Sequence, residues 1–430
     1  MGILLAILAL SFLIIVHELG HFLVAKAFKV KVNEFSLFMG PKLVSVKKGE
    51  TLYSIRLIPL GGYVKMEGEE EASEDDRAYN RKPIGVRAAI IAAGPIMNIL
   101  TALVFAFIII MQTGFFSTEI KEIVPGSVAE TVGLKAGDRI EKYNGKTIYN
   151  VNDIEIFAYP LTDESIKLQF DRAGQQKTVE FTPDRQNYIL GFTPLNGEFE
   201  GADSNVVKEV SKDSPAAKAG LKEGDRIVKL NEQPVNTRKD IKSILSTSEN
   251  KKVTITVERS GKTQELTPVI PLKSKNPEYY AMGIKDFVHQ KGGIGSTIKE
   301  SVKYNIFLAR SIYYSLGWLF TGTVPASELM GPVGITTTIS NEVQVSQSAE
   351  ETILRLLSIT TMISINLGLV NLIPFPALDG SKLVLLLIEG IRKKPLNPEK
   401  EALITMVGMV LLIMLMLYAT FNDILRLGKG

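Results

Sequence analysis

The chain has 430 residues, which is enough for two or three domains. Its formal net charge of +3 gives no reason to expect a nucleic-acid partner. There is no cysteine, so disulfides and thiolate metal sites are excluded, and any metal must be held by nitrogen and oxygen. The mean hydropathy is positive although 22% of the residues are charged, which predicts strongly apolar segments beside ordinary soluble ones.

Four apolar segments are long enough to cross about 30 Å of hydrocarbon. They cover residues 1–28, 86–113, 353–380 and 402–421. The first is not typical of a cleaved signal peptide, because no basic residue precedes it and no small-residue cleavage site ends it. The sequence therefore predicts an α-helical core that spans a lipid bilayer four times.

Basic residues predict the orientation of these spans, because cytoplasmic loops carry an excess of Lys and Arg. The loop 29–85 and its flanks carry a dozen of them, and a second basic cluster follows the third segment. Both loops are expected in the cytoplasm. The two chain termini and the long segment between the second and third spans are then expected on the outside.

The soluble middle of the chain contains an internal repeat. The stretch Gly133–Ile140 recurs as Gly220–Ile227, at an offset of 87 residues. Duplicated domains are therefore predicted at residues 117–196 and 202–287. The same offset aligns three further pairs: Ser127 with Ser214, Asn144 with Asn231, and Asp153 with Asp240.

These copies resemble PDZ domains of the bacterial, circularly permuted type. The resemblance implies two α+β, partly open barrels, each with a groove that accepts an extended peptide by strand addition. It also implies that one short stretch in each copy binds the carboxylate of a peptide C-terminus. The alternative is that one or both grooves act only as steric walls. By position, the stretches are Leu190, Gly191 and Phe192 in the first copy and Met282, Gly283 and Ile284 in the second.

His17, Glu18 and His21 form an HExxH pattern in the first apolar segment. On a helix, residues four apart share a face, so both imidazoles can reach one ion. Zn²⁺ suits such a site because it accepts nitrogen and carboxylate oxygen in tetrahedral geometry. Glu18 is the candidate catalytic residue, placed to take a proton from water. Ionisable residues at bilayer depth are costly and functional by default, which disfavours a polar cluster that only joins helices.

Two histidines leave a catalytic zinc one protein ligand short. The remaining histidine, His289, falls in the soluble part, so a carboxylate is the expected third ligand. Asp379 is the best candidate, since it is the only acid in the third apolar segment. Pro374 and Pro376 break the helix before it. The alternative role for Asp379 is a helix N-cap.

Four motifs in this order are similar to the site-2 protease family of intramembrane zinc metalloproteases, in its bacterial regulator of sigma-E form. They are HELGH, AGPxxN, the PDZ pair and NxxPxPxLDG, and they span nearly the whole chain. The resemblance implies that His17, His21 and Asp379 bind zinc and that Glu18 activates water. It also implies that Asn371 contacts substrate.

One position departs from the family pattern. Ser381 stands where the family usually has a second glycine after the aspartate. A side chain there constrains the local backbone more than glycine does, but the change removes no ligand.

A β-hairpin is predicted within residues 29–85, because polarity partly alternates on both sides of a turn at residues 48–50. In the family such a segment is membrane-associated on the cytoplasmic side, and its edge pairs with an unwound substrate. Gly61, Gly62 and Tyr63 are therefore expected substrate contacts. The alternative is a cytosolic hairpin without substrate contact. Residues 292–350 are expected to form an amphipathic interfacial connector, since aromatic residues are dense in its first part.

The activity expected from the resemblance is hydrolysis of peptide bonds within or near the spans of single-span membrane proteins. Anti-sigma factors and remnant signal peptides are the substrate classes, the bacterial inner membrane is the location, and the periplasmic PDZ domains filter access. An inactive PDZ membrane scaffold and a zinc transporter are the alternatives. The intact metal set disfavours the first. The second predicts ligands spread over several spans, whereas here they concentrate in one helix and one broken segment.

Overall fold

The computed structural model describes residues 2–69, 71, 73–161, 164–184, 186–194, 205–237, 240–241, 244–245, 248, 251–275, 278–346, 348–394 and 397–427. They divide into two compact units, one of Met1–Phe116 and His289–Gly430 and one of Ser117–Val288. The helices are α1 (Gly2–Ala27), α2 (Ile84–Thr113), α3 (Val128–Thr131), α4 (Asp153–Ala158), α5 (Pro215–Ala219), α6 (Glu278–Ala281), α7 (Ile294–Thr321), α8 (Pro332–Val345), α9 (Ala349–Asn371), α10 (Asp379–Arg392) and α11 (Pro398–Leu427). The strands are β1 (Val32–Lys48), β2 (Thr51–Met66), β3 (Phe115–Ile123), β4 (Arg139–Tyr143), β5 (Lys146–Thr147), β6 (Ile166–Arg172), β7 (Gln175–Phe181), β8 (Gln186–Ile189), β9 (Phe192–Pro194), β10 (Val207–Val210), β11 (Arg226–Leu230), β12 (Gln233–Pro234), β13 (Ile255–Arg259), β14 (Lys262–Glu265), β15 (Leu272–Lys275) and β16 (Ile284–Gln290).

Within the described residues, four helices are long and apolar enough to cross a membrane: α1, α2, α9 and α11. They coincide with the four predicted spans, with one difference in the third. There the helix ends at Asn371, and a separate helix begins at Asp379. Pro374 and Pro376 lie in the break, and Ala377 has a φ of 77°, which no right-handed helix can accommodate.

The helix α2 is the centre of this unit and packs against α1, α7, α9 and α10. Small residues allow the close contacts. A Cβ at Gly20 of α1 would lie 2.4 Å from the carbonyl oxygen of Ala93, and one at Gly368 of α9 would lie 2.8 Å from that of Pro95. The backbones therefore touch on two sides of α2. The predicted connector of residues 292–350 contains two helices, α7 and α8, and α8 packs against α1 and α11.

The strands β1 and β2 both bend, so the sheet that they form contains more strand pairings than a single hairpin. Residues 51–56 pair with 42–48 on one side and with 34–37 on the other, and residues 62–66 pair with 32–37. Bulges in both strands turn the chain so that the spatial order is 42–48, 51–56, 32–37 and 62–66. The predicted turn at residues 48–50 is present. The structure adds a second edge strand, residues 62–66, which we name the edge segment.

The second unit repeats the same interactions at the offset of 87 residues. Ser127 and Ser214 each cap a short helix by accepting a backbone N–H. Asn144 and Asn231 adopt positive φ and accept the backbone N–H of Lys167 and Thr254. In each copy a buried aspartate binds an arginine whose guanidinium also reaches a glycine carbonyl. These sets are Asp138, Arg172 and Gly133, and Asp225, Arg259 and Gly220.

The closing stretches of the two copies are exchanged relative to the expected arrangement. The carbonyl of Gly283 accepts the N–H of Val124 at 2.9 Å, and that of Gly191 accepts the N–H of Ser211 at 3.0 Å. Residues 282–284 thus complete the first copy and residues 190–192 the second, so the assignment of each stretch to the copy before it in the sequence is wrong. The physical reason is the antiparallel pairing of β8 with β15, which brings the two ends of the second copy together. The second copy is therefore inserted into the first between β7 and α6.

Candidate metal centre

Two histidines of α1 and an aspartate more than 350 residues later in the sequence converge as potential metal ligands. His17 Nε2 lies 3.0 Å from Asp379 Oδ2, and His21 Nε2 lies 3.5 Å from the same oxygen. The two Nε2 atoms are 3.2 Å apart. All three ligand atoms lie within 4.8 Å of one another, a group that could hold one metal ion. The structure thus brings together the predicted ligand set.

Local structure explains why each ligand reaches this point. His17 and His21 are four residues apart on α1, so their side chains lie on one face. Asp379 is the first residue of α10, and the N-cap is Leu378. The break after α9 turns the chain, and the Asp379 carboxylate faces the histidines rather than capping its own helix. The alternative role as an N-cap is therefore wrong.

The helix α2 supports the histidines with residues at four-residue spacing. The Nδ1–H of His21 donates to the carbonyl oxygen of Ile90 at 2.8 Å, which leaves Nε2 with the lone pair that a metal needs. At Gly94 a Cβ would lie 2.4 Å from His21 Nε2 and 2.7 Å from His17 Nε2. Asn98, one turn further, has its amide nitrogen 3.2 Å from His17 Nδ1.

These observations test whether the site fits a zinc ion. Zn²⁺ is bound by imidazole nitrogen and carboxylate oxygen, and a catalytic zinc commonly has three protein ligands. Two histidines and one carboxylate meet that requirement. The space that a Cβ at Gly94 would fill lies directly against the two Nε2 atoms, so glycine keeps both accessible. The residues present fit zinc.

The ligands line a cavity of about 330 Å³ together with Glu18, Asn371 and residues of β2. The predicted catalytic residue Glu18 and the predicted substrate contact Asn371, the last residue of α9, therefore lie at the same cavity as the ligands. Lys382 and Glu69 also line it and form an ion pair of 3.2 Å, which the sequence did not indicate.

The edge segment borders this cavity through Tyr63, Val64 and Met66. Gly62 lies beside Glu18, since a Cβ there would be 3.8 Å from Glu18 Cγ. The backbone N–H of Val64 faces the Glu18 carboxylate. Gly61 has a φ of 74° and lies against Met39 and Ile14, so it turns the chain into the edge segment and does not line the cavity.

Tyr63 is held by polar partners on the sheet. Burial raises the pKa of its hydroxyl, and the neighbouring carboxylate of Glu34 raises it further. Glu34 accepts hydrogen bonds from Ser54 at 2.6 Å and from Arg56 at 2.9 Å. Tyr63 is therefore neutral at physiological pH, and its ring position at the cavity is fixed by this group.

The predicted PDZ contacts lie in the second unit with their side chains mostly buried. Leu190, Met282 and Ile284 are at most 1% exposed, and Phe192 packs against the core of the second copy. Gly191 and Gly283 have φ values of 80° and 89° and lie against Ser214 and Ser127. Apart from the partly buried Phe192, these stretches can offer a peptide their backbone but not their side chains, and backbone contact is the kind that the PDZ resemblance implies.

Three supporting residues were missed by the sequence reasoning. The AGPxxN motif contains Gly94 and Asn98, but it was assigned no role, and Ile90 was not singled out. The signal that identifies them is the stripe of buried residues at every fourth position of α2, which runs from Ile90 through Gly94 and Asn98 to Ala102 and Ala106.

The chain is similar to known proteases. Peptidase family M50 matches residues 5–415 of the chain. The protein named "Probable protease eep" of Enterococcus faecalis is 33% identical over 430 residues, covering 98% of each chain. Regulator of sigma-E protease RseP of Salmonella typhimurium is 33% identical over 450 residues, with 98% of each chain covered. Zinc metalloprotease RasP of Geobacillus kaustophilus is 29% identical over 426 residues, with 96% of this chain and 95% of that one covered.

Among solved structures, the HtrA3 PDZ domain bound to a phage-derived ligand is similar over 26% of this chain and 92% of that domain. The identity is 21% and the TM-score is 0.16, which is too low to support the fold.

The membrane helices, the His-His-Asp cluster and these relatives together define an intramembrane zinc metalloprotease. The alternatives of an inactive scaffold and of a zinc transporter are not favoured. Because the family matches nearly the whole length, the chain belongs to peptidase family M50.

Proposed function

We propose that His17, His21 and Asp379 bind the zinc ion and that Glu18 is the general base of peptide hydrolysis. The observation that carries this proposal is the convergence of the three ligand atoms within 4.8 Å, at a cavity that Glu18 also lines. Bound zinc supplies Lewis acidity, which polarises the scissile carbonyl and makes water a stronger acid. Glu18 takes the proton from the attacking water and passes it to the leaving amine. Asn371 orients the substrate backbone at the same cavity.

The edge segment is proposed to hold the substrate as a strand. A membrane helix hides its peptide groups in internal hydrogen bonds, so it must unwind before water can attack. Residues 62–66 pair with residues 32–37 on one side, and their other edge borders the cavity. An unwound substrate can add to that edge by main-chain hydrogen bonds. This places its backbone beside Glu18.

The proposed substrates are single-span membrane proteins of the bacterial inner membrane, such as anti-sigma factors and remnant signal peptides. A relative named regulator of sigma-E protease supports this class. We place the zinc site near the cytoplasmic side and both chain termini and the PDZ unit outside, from the distribution of basic residues. The two PDZ copies restrict access by excluding bulky ectodomains or by binding newly exposed C-termini.

The test of the proposed base is Glu18→Gln in the full-length chain, reconstituted with a single-span substrate. Cleavage should fall by about 10²–10⁴-fold, the usual contribution of a general base. The zinc content should stay at that of the wild type, since Glu18 is not a ligand. The exposed Glu399→Gln is the matched control and should cleave normally. Wild-type cleavage by Glu18→Gln would rule out this role.

A further inference from the structure

Asn98 is the one polar side chain of the α2 stripe and lies directly against a proposed ligand. It has no solvent exposure. Its amide nitrogen is 3.2 Å from His17 Nδ1, while His17 Nε2 is 3.0 Å from the Asp379 carboxylate. One ring nitrogen of His17 thus faces the ligand cluster, and the other faces Asn98. The hydrogen bond between Asn98 and Nδ1 therefore determines whether the proton of a neutral His17 is on Nδ1 or on Nε2, the nitrogen that faces the cluster.

The two histidines differ in the partner that each Nδ1 has. The partner of His21 is the carbonyl oxygen of Ile90, which can only accept, so Nδ1 carries the proton. The partner of His17 is an amide, which has a donor and an acceptor on the same carbon. The buried Oδ1 of Asn98 has no hydrogen-bond partner within the part of the chain that the structure describes. Rotation of the amide by half a turn brings Oδ1 to Nδ1 of His17, and Oδ1 gives up no hydrogen bond in that rotation.

The amide can therefore match either tautomer of His17. With its nitrogen towards Nδ1, it donates there, and the Nε2–H of His17 donates to Asp379. With its oxygen towards Nδ1, it accepts the Nδ1–H, and Nε2 presents its lone pair to the ligand cluster. The second arrangement is the one that a zinc ligand requires, and it reproduces the arrangement of His21 with Ile90.

The position of Asn98 is fixed by a second helix. Its backbone carbonyl accepts a hydrogen bond of 2.8 Å from the hydroxyl of Ser364 on α9, and both residues are fully buried. A Cβ at Gly368, one turn further along α9, would lie 3.4 Å from the Cβ of Asn98. The amide can thus turn about its own axis, while its distance to His17 is held by the contact between α2 and α9.

We propose that Asn98 is a positioning residue for the metal site, whose amide turns to accept the Nδ1–H of His17 and so presents Nε2 to zinc. This rests on the proposed role of His17 as a ligand. Partners of this kind typically contribute about 10- to 100-fold to metal affinity. A side chain at position 98 that accepts a hydrogen bond but cannot donate one should support zinc binding as well as the amide does. An apolar side chain of similar size should not.

The first experiment measures zinc affinity of the purified full-length chain in detergent, by competition with a chromophoric chelator. Asn98→Leu should weaken zinc binding by about 10- to 100-fold, and Asn98→Asp should bind at least as tightly as the wild type. Asn305→Leu is the matched control, because Asn305 is also a buried helical asparagine whose Oδ1 lacks a partner among the described residues. It should leave the affinity within about twofold, a free-energy change below 0.5 kcal/mol.

The second experiment reads the tautomer itself. The chain has three histidines, so ¹⁵N-histidine labelling gives a spectrum that His289→Gln can reduce to the two of interest. Zinc-loaded wild type should show His17 protonated at Nδ1, and metal-free Asn98→Asp should already show this form. In metal-free Asn98→Leu, His17 should show a mixture of its two tautomers instead of one.

Two results separate the possible failures. Equal zinc affinity and an unchanged His17 tautomer in Asn98→Leu would overturn the role of Asn98 while leaving the metal site intact. Absence of zinc binding to the wild type through His17 would overturn the proposed function itself. If Asn98→Leu does not fold, the tautomer of metal-free Asn98→Asp decides, since a His17 that is not protonated at Nδ1 in this variant contradicts the proposal.

Discussion

Gly94 shows at the scale of a single residue how closely α2 approaches the ligands. A Cβ at this position would lie 2.4 Å from His21 Nε2 and 2.7 Å from His17 Nε2, shorter than real side chains tolerate. The atoms that it would meet are the proposed zinc-binding nitrogens. Any side chain at position 94 must therefore move an imidazole or separate α1 from α2.

Gly94→Ala should for this reason lower zinc affinity and cleavage together, each by at least about tenfold, as loss of ligand positioning does. Alanine favours helix by about 1 kcal/mol over glycine, so the change should not unfold α2. Chelator competition and a cleavage assay measure both effects. Gly85→Ala in the same helix is the control, because among the described residues no atom outside the adjoining turns of α2 lies within 4 Å of its Cβ position. Wild-type zinc affinity in Gly94→Ala would contradict the close approach.

Asp379→Asn tests the third ligand. The amide oxygen is a weaker ligand without charge, so bound zinc per chain should fall well below one after dialysis, with cleavage falling in parallel. Elemental analysis of the purified chain measures the zinc. Asp286→Asn, at an exposed ion pair of the second unit, should change neither. Full zinc occupancy in Asp379→Asn would show that the third ligand lies elsewhere.

The ligands could be predicted from the sequence, but their supports could not. His17 and His21 carry a local spacing signal, and Asp379 was the only acid in its segment. Gly94 and Asn98 are two small residues among many in an apolar helix. Their role depends on which face of α2 meets α1, and helix packing determines that face rather than local pattern.

At the scale of secondary-structure elements, the edge segment is the part of its sheet that lies beside the cavity. Its outer edge borders the cavity, and the N–H of Val64 faces Glu18. The sequence predicted a hairpin because its turn and alternation are local. It did not predict that residues 62–66 return beside residues 32–37, since bulges set this register.

Val64→Pro should reduce cleavage of a transmembrane substrate by about 10- to 100-fold, because losing one or two hydrogen bonds costs roughly 1–3 kcal/mol. Proline removes the N–H that faces the Glu18 carboxylate, and its ring obstructs an added strand at this edge. Zinc content should not change. Val64→Ala keeps the N–H and should retain most activity. Equal losses in the two variants would attribute the effect to the side chain and contradict strand addition.

At the scale of the whole molecule, the two copies of the repeat are nested rather than consecutive. The repeat was recognisable because its aspartate and asparagine positions recur at a fixed offset. The exchange of the closing stretches could not be recognised from the sequence, because the two stretches are alike and only strand pairing distinguishes them. The hydrogen bond from Tyr143 to Glu278, with both residues buried, is a further contact of the first copy with its late segment.

Excision of residues 185–277 with a short Gly-Ser link should leave the first copy folded. The ends to be joined are close, since the N–H of Asp184 donates to the carbonyl of Ala281 at 2.9 Å. A deletion of equal length, residues 197–289, removes all of β16 except Gln290 and should unfold the first copy. Hydrogen exchange of peptides from β4 and β6 in the full membrane chain reads the difference. Equal protection in both deletions would contradict the nesting.

Acid should destabilise the second copy through Asp225. Burial alone would raise its pKa, but hydrogen bonds from Arg259 and from the N–H of Lys222 outweigh it and hold the pKa below the ordinary value. The stabilisation is therefore present above the unfolded pKa of about 4 and is lost as pH falls through the lower folded value.

Asp225→Asn should consequently destabilise this copy at pH 7 by roughly 3 kcal/mol, as loss of one partner of a buried pair does. The difference from wild type should shrink below about pH 4. Hydrogen exchange of β11 and β13 measures it as a function of pH. The exposed pair of Asp286 and Lys121 in the first copy is the control, since Asp286→Asn should leave the protection of β11 and β13 unchanged at every pH. A pH-independent difference for Asp225→Asn would contradict the assignment.

The nesting also imposes an order of events during synthesis. The strand β7 ends at Phe181, and its copy is completed only by β16, which begins at Ile284. At about 5–20 residues per second, the ribosome needs roughly 5–20 s to deliver those intervening residues. During that interval the first copy has an open edge at β3. The second copy has all its strands once β15 ends at Lys275, before β16 is made. The inserted copy therefore folds first, and it brings together the ends of the chain from which the outer copy closes.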